Sequence, residues 1–326
     1  MNRLGARLQS LLDQHLIVIL LALGFGAYCM PSGPALDFVL DSKPNLPWVF
    51  VLAMLSIGSV LPADEVRRTI SSWRGVVFGT LAQYTIMPLL AFSLAWFIPM
   101  SEDLRLGLII CGCVPGAMAS NVVTLMARGN VSYSVGVTTC STFLSPVVVP
   151  IMFFLFLGAS AQTNLVGTGV KLLWQVVLPV MIGFGLARLS RTYAEFMAGW
   201  GPVLANLAVL WIVTFVVAEN RMYLIDAPPQ LFLALLLLNL LGYVGGYWAA
   251  RGVGMDSFTT RALSLEVGMQ NAGLGTVLAM QIFPGRPEIC IPTALYTFGC
   301  VLTGTALAWF WSQSDIRWKK EMLAET

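Results

Sequence analysis

Cys113-Val114-Pro115-Gly116-Ala117-Met118-Ala119-Ser120-Asn121 interrupts an apolar run that extends over 104–127. Pro115 has no backbone N–H and Gly116 accepts dihedrals that other residues resist, so a helix through this run breaks near its middle. Leu265-Glu266-Val267-Gly268-Met269-Gln270-Asn271-Ala272-Gly273 interrupts the run over 258–281 in the same manner. Each stretch sets small residues, and a polar pair ending in Asn, inside an otherwise apolar segment. Asn121 and Asn271 are 150 positions apart (271 − 121), close to half of the 326-residue chain.

The surroundings of the two stretches decide the class. Hydrophobic residues make up 57% of the chain and charged residues 10%, against about 25% charged in soluble domains. Such a chain cannot cover its surface with polar groups and needs the bilayer as solvent over most of it. Apolar runs fall at 16–30, 48–63, 75–98, 104–127, 131–158, 169–188, 202–220, 229–251, 258–281 and 290–313. Ten membrane helices are therefore expected, the first two short for a core of about 30 Å. Trp48, Trp200, Trp248 and Trp309 fall near the expected membrane edges, where aromatic rings collect. A net charge of +2 without a long Lys/Arg run does not suit a nucleic-acid partner, and no protein partner is evident. Arg3 and Arg7 before the first run resemble a signal peptide. Cys29-Met30-Pro31-Ser32 is a poor cleavage site, and the run is read as a retained first helix. The six Cys residues have no paired spacing and read as small apolar filler.

Lys and Arg orient the chain. With the N-terminus in the cytoplasm, Arg3, Arg7, Arg67, Arg68, Arg74, Arg128, Arg188, Arg191, Arg251, Arg261, Arg317, Lys319 and Lys320 lie inside. Only Lys43, Arg105, Lys171, Arg221 and Arg286 lie outside. Positive residues favour the inner side, so both termini are expected in the cytoplasm. Ten helices divide into two sets of five, 16–158 and 169–313. An odd number per half makes the halves enter from opposite sides, the inverted repeat of many secondary transporters. The two interrupted stretches are then the fourth span of each half. Broken helices at matching positions mark a transporter's site, because bare backbone at membrane depth must line a cavity or be buried in protein.

Glu266 is the one acidic residue well inside an expected span. A carboxylate at that depth costs a few kcal/mol on insertion scales, and no Lys or Arg at matching depth pairs with it. A cation from outside the chain is the natural partner. Gln270 follows by four residues. Ser120, Asn121 and Thr124 stand on the fourth segment. Ser134, Thr138 and Ser141 form one stripe of the fifth at i, i+4, i+7, with Ser132, Thr139, Thr142 and Ser145 near it, and Gln83 is deep in the third. One carboxylate among neutral oxygens suits Na⁺ better than a divalent ion.

Pro115-Gly-Ala-Met-Ala-Ser-Asn121, then Thr124, Ala127-Arg-Gly-Asn130, Ser134, Thr138, Ser141-Thr142 and Ser145-Pro146, resembles the segment 4–5 signature of the bile acid:sodium symporter family. Arg261-Ala-Leu-Ser-Leu-Glu-Val-Gly-Met-Gln-Asn-Ala-Gly273 resembles its segment 9 signature, and the likeness covers about residues 16–313. Ala117 departs from the family, which often has a second Gly there. The resemblance implies an all-α membrane protein of ten helices in two inverted repeats, forming a single transport unit over 1–326. Helices 1, 2, 6 and 7 would form a panel domain, and 3–5 with 8–10 a core domain in which helices 4 and 9 cross. It implies two Na⁺ ions. The first would be held by Ser120, Asn121, Ser134, Thr138 and Glu266. The second would be held by Gln83, Glu266, Gln270 and the carbonyls of Val267 and Met269. The anion would lie near Asn271, with Ala119 and Gly273 beside it, and Pro115, Gly116 and Gly268 would make the breaks.

The expected function is sodium-coupled symport of organic anions by alternating access in a bacterial inner membrane. The substrate stays open between bile acids and smaller acids such as pantoate or pyruvate. Arsenite efflux is a weaker alternative, suggested by Cys113 near the break. A membrane-embedded enzyme is disfavoured. The one His, His15, lies outside the expected site, and no hydrolase motif is visible.

Overall fold

The computed structural model describes residues 19, 22, 23, 25–61, 73–158, 165–222 and 227–324, with side chains described as far as residue 313. These residues are nearly all helical. Helix α1 spans Pro34–Leu40, α2 Leu46–Val60 and α3 Trp73–Phe97. The first interrupted run gives α4, Glu102–Cys113, and α5, Ala119–Met126. Helix α6 spans Val131–Leu157, α7 Leu165–Leu172, α8 Leu178–Leu189, α9 Arg191–Glu219 and α10 Pro229–Gly252. The second interrupted run gives α11, Ser257–Gly268, and α12, Ala272–Ile282, and α13 spans Cys290–Ala324. Six helices among the described residues are long and apolar enough to cross a membrane: 73–97, 131–157, 166–189, 191–219, 229–252 and 287–313. The expected first span, 16–30, falls partly outside the described residues, and His15, Arg67 and Arg68 lie outside them.

Local chemistry explains most boundaries. Ser101 opens α4 by accepting from the Leu104 N–H, with Glu102 and Asp103 in its first turn. Asn130 opens α6 by accepting from Tyr133, and Asp256 opens α11 by accepting from Phe258 and Thr259. Such caps satisfy N–H groups that a helix start leaves bare. The expected run 202–220 is part of a longer helix that begins at Arg191, because Ser190 caps it and Pro202 is carried inside. Between α7 and α8, residues Leu173–Val177 form a π-helical turn, so the run 165–189 stays continuous. Inside α6, Pro146 cannot donate to the Thr142 carbonyl. The Ser145 hydroxyl does so instead at 2.7 Å, so Ser145 serves the backbone of its own helix.

Packing separates two groups. Helix α2 packs chiefly on α8 and α9. The α2–α8 approach is close enough that a Cβ on Gly58 would fall 2.1 Å from the Val180 carbonyl oxygen, the small-residue packing that membrane helices use where hydrophobic burial gives no drive. Helices α3, α4, α6, α10, α11 and α13 pack mainly on one another. Large apolar side chains such as Trp48, Trp96, Trp248 and Trp309 are exposed, as expected of a surface that lipid covers.

Candidate functional site

The two helix breaks meet. Helix α4 ends at Cys113, the chain runs extended through Val114, and α5 begins at Ala119. Helix α11 ends at Gly268, Met269 is extended, and α12 begins at Ala272. Gly116 and Gln270 face each other as an isolated antiparallel bridge. The Ala117 N–H donates to the Met269 carbonyl at 2.9 Å, and the Asn271 N–H donates to the Pro115 carbonyl at 2.8 Å. Each break thus satisfies backbone groups of the other, which at membrane depth would otherwise cost several kcal/mol apiece. A Cβ at 116 would lie 2.6 Å from Glu266 Oε1, so any side chain there would displace the carboxylate.

Glu266 is fully buried in the last turn of α11. Ser120 Oγ, from the first turn of α5, donates to its Oε2 at 2.6 Å, and Ser134 Oγ from α6 does so at 2.8 Å. Thr138, one turn further along α6, donates to Oε1. These hydroxyls have too few protons for the oxygens around them, since each has one. Ser120 also lies 2.7 Å from the Ala117 carbonyl. Thr138 also reaches the Ser134 carbonyl at 3.0 Å and Asn121 Oδ1 at 3.5 Å. Thr124 Oγ1 points at Ser134 Oγ from 3.4 Å. A carboxyl group in a cluster with more oxygen lone pairs than hydroxyl protons has oxygens to spare for a cation. Among the described residues no group of three or more His, Cys, Asp or Glu could hold a metal ion. One carboxylate with neutral oxygens matches a single positive charge.

A second polar chain adjoins the first. Gln83 Nε2 of α3 donates to Gln270 Oε1 at 2.8 Å, and Gln270 Nε2 donates to the Val267 carbonyl at 3.1 Å. Gln83 Oε1 is buried with no hydrogen-bond partner. The Met269 carbonyl is engaged by Ala117 at the crossing. The oxygens of Gln270 and Val267 therefore accept amide protons as they stand, and Gln83 Oε1 is the spare acceptor.

The half-buried side of the crossing carries Ala119, Asn121 and Asn271. Asn271 caps α12 by accepting from the Leu274 N–H at 3.2 Å. Gly273 is buried, and a Cβ on it would meet only Asn271 Oδ1, at 3.9 Å. The N-termini of α5 and α12, both positive dipole ends, begin at this crossing. Of the polar stripe on α6, Ser134 and Thr138 reach the carboxylate, whereas Ser141 donates back to the Thr138 carbonyl at 3.0 Å. Cys113 is fully buried at the end of α4.

Sequence reasoning missed the residues that hold the end of α11. Asn239 Nδ2 of α10 and the Tyr296 hydroxyl of α13 both donate to the Gly268 carbonyl at 2.8 Å. Thr303 donates to Asn239 Oδ1, and the Tyr243 hydroxyl donates to the Cys300 carbonyl at 3.0 Å. Gly268 lies so close to the Tyr243 ring that a Cβ would come within 2.1 Å of it. One signal was available: Asn239 is a lone amide inside Leu235–Leu241, and a polar group in such a run needs a buried partner.

Comparison with known proteins places the chain among sodium-dependent transporters. The profile described as Sodium Bile acid symporter family matches residues 47–227. The chain is 35% identical over 262 residues to the uncharacterized sodium-dependent transporter YocS of Bacillus subtilis, covering 80% of this chain and 81% of that protein. It is 33% identical over 274 residues to the probable sodium/metabolite cotransporter BASS1, chloroplastic, of Arabidopsis thaliana, covering 83% and 68%. It is 27% identical over 252 residues to the hepatic sodium/bile acid cotransporter of Rattus norvegicus, covering 75% and 68%. Among solved structures, the sodium proton antiporter MjNhaP1 of Methanocaldococcus jannaschii aligns over 95% of each chain with a TM-score of 0.63 and 13% identity. That likeness is one of fold.

Proposed function

This chain belongs to the Sodium Bile acid symporter family, sodium-dependent transporters that are integral multi-pass membrane proteins, and on that premise we propose that it carries an organic anion inward together with Na⁺. The observation that carries the proposal is the buried Glu266 carboxylate, which faces three hydroxyls and an excess of oxygen acceptors. Desolvating a carboxylate without a cation is expensive, and a co-transported ion removes that cost only while it is bound. Ser120, Asn121, Ser134, Thr138 and Glu266 hold the first ion in this proposal. Gln83, Glu266, Gln270 and the carbonyls of Val267 and Met269 hold a second, after the two amides turn their oxygens toward it.

The anion binds on the half-buried side, against Asn271, Ala119 and Gly273, where the N-termini of α5 and α12 favour a carboxylate. Asn121 and Asn271 connect the two events, since an amide offers oxygen to an ion and N–H groups to an anion. The wider architecture we propose is ten spans in two inverted repeats, 16–158 and 169–313, with the panel and core rocking past each other in alternating access. The packing of α2 on α8 and α9, apart from the group around α11, supports that division. The membrane we propose is a bacterial inner membrane, and the distribution of Lys and Arg supports both termini on its cytoplasmic side. Bile acids and smaller acids such as pantoate or pyruvate are the substrates to try first.

Thermal unfolding of the purified protein in NaCl, KCl and choline chloride tests the core of this proposal. Na⁺ alone should raise the melting temperature, and a transported acid should raise it further only when Na⁺ is present, because linked ligands strengthen each other by the same factor. Equal melting temperatures in the three salts would refute sodium binding. An acid that binds equally well without Na⁺ would refute the coupling.

A further inference from the structure

A cavity of about 570 Å³ opens where α3, α6 and α11 begin, with Arg74, Asn130, Ser132, Tyr133 and Thr259 in its wall. We propose that this cavity is the aqueous route of the cation to and from Glu266, separate from the side of the crossing where the anion binds. The inference rests on the reading of the Glu266 cluster as a cation site.

Both walls of the cavity continue into that cluster. Asn130 caps α6, and Ser134 follows it by four residues, about 6 Å along the axis. Thr259 and Glu266 lie on α11 seven residues apart, about 10 Å. Asn130 Nδ2 donates to Thr259 Oγ1 at 3.1 Å, which ties the two walls together at the mouth. Thr259 Oγ1 in turn donates to Asp256 Oδ2 at 2.6 Å. Burial works to raise the Asp256 carboxyl, but hydrogen bonds from the Thr259 hydroxyl and from the Thr259 and Phe258 N–H groups outweigh it and hold the group below its ordinary value. The carboxylate of Asp256 thus stands behind the wall residue Thr259, and Arg74, in the wall itself, stacks over the Trp73 ring at 5.6 Å.

Oxygens then continue inward. Thr124 Oγ1 lies 3.4 Å from Ser134 Oγ, and Ser134 Oγ lies 2.8 Å from the carboxylate. A cation moving along α6 would exchange water for the hydroxyls of Ser134 and Thr138, one turn apart. Tyr133 lines the same cavity beside Ser134. Its ring lies over α3, the hydroxyl donating to the Gly75 carbonyl at 2.9 Å. Gly79 makes that seat possible, since a Cβ there would fall 2.5 Å from the Tyr133 hydroxyl. The anion's side is distinct: Ser120 is buried toward Glu266, whereas its neighbours Ala119 and Asn121 are half-buried.

The test uses Ser132→Cys in the full chain reconstituted in liposomes. The thiol is modified with a cationic methanethiosulfonate reagent or with a neutral one of similar size. The parent protein, which has an exposed Cys29, is treated in parallel. The cationic adduct should slow exchange of radiolabelled Na⁺ at least tenfold and the neutral adduct much less. Anion affinity at saturating Na⁺ should stay within twofold. A purely structural disturbance would not depend on the sign of the adduct's charge. Met255→Cys, in the same cavity wall, repeats the measurement if Ser132→Cys does not fold. An unreactive thiol, or Na⁺ exchange indifferent to the cationic adduct, overturns the route alone. Absence of Na⁺ exchange in the unmodified parent overturns the cation site at Glu266, and the route with it.

Discussion

Two oxygen-rich clusters adjoin the last turn of α11, and they balance protons differently. Around Glu266 the hydroxyls of Ser120, Ser134 and Thr138 face more acceptors than they have protons. In the chain Gln83–Gln270–Val267, two amide N–H groups already meet two oxygens, and only Gln83 Oε1 is left over. In the proposed function the first cluster takes a cation as it stands. The second must give up hydrogen bonds before its oxygens can serve one. A net hydrogen bond is worth about 1 kcal/mol, so occupancy of the second cluster is easily made to follow that of the first. Ordered binding of this kind would prevent a partly loaded carrier from moving.

Glu266→Gln breaks the comparison outright. It keeps the size of the side chain and removes the charge that, in the proposed function, serves both ions. The unmodified protein gains about 2.7 kcal/mol from an ion at a hundredfold excess over its Kd. The variant should lose the whole of that gain, together with Na⁺-driven uptake. Thermal unfolding in NaCl against choline chloride checks it, and a retained Na⁺ shift would mean that the charge is not what holds the ion.

Gly116→Ala should have the next largest effect, and only on the hydroxyl cluster. Its methyl would stand 2.6 Å from Glu266 Oε1, so the carboxylate must move away from Ser120 and Thr138. Overpacking of this kind costs about 1–3 kcal/mol. Na⁺ affinity by calorimetry should fall about tenfold or more, about 1.4 kcal/mol. Unchanged affinity would show that the carboxylate position seen here is not the one that binds the ion.

Gln83→Leu sharpens the comparison with the smallest effect. It removes the spare oxygen and leaves Gln270 Oε1 without its donor, at a cost of about 1–3 kcal/mol to stability. The steepness of uptake against Na⁺ concentration should drop toward that of one ion, while the tighter Na⁺ affinity changes less than twofold. If Gln83→Leu instead weakens Na⁺ as much as Gly116→Ala does, the two clusters act as one site.

Several parts of the site were legible before any coordinates. Pro115 and Gly116 announce a break because one lacks a donor and the other lacks a side chain. Glu266 announces itself because a carboxylate in an apolar run is costly. The polar stripe on α6 was only half legible. Periodicity placed Ser134, Thr138 and Ser141 on one face, but Ser141 turned to its own backbone, and Ser145 to the carbonyl freed by Pro146. A hydroxyl that serves its own helix and one that serves a ligand look identical in a string of letters. Asn239 and Tyr296 escaped notice because their target is a backbone carbonyl, that of Gly268, as did Tyr243, which donates to the Cys300 carbonyl, and Thr303, which only supports Asn239. A carbonyl carries no residue-specific signal.

By itself the sequence determined the membrane class, the places where two helices must stop, and the one buried charge that needs a partner. These follow from local properties: transfer cost, a missing donor, an absent side chain. Only the tertiary structure decided that the two breaks satisfy each other, Ala117 to Met269 and Asn271 to Pro115. It brings Ser120, Ser134 and Thr138, which lie 146, 132 and 128 positions away from Glu266, onto the carboxylate, a grouping that the family resemblance implied and no local pattern required. The physical reason is that helical periodicity specifies which face a residue occupies, whereas the partner of that face is set by how whole helices pack.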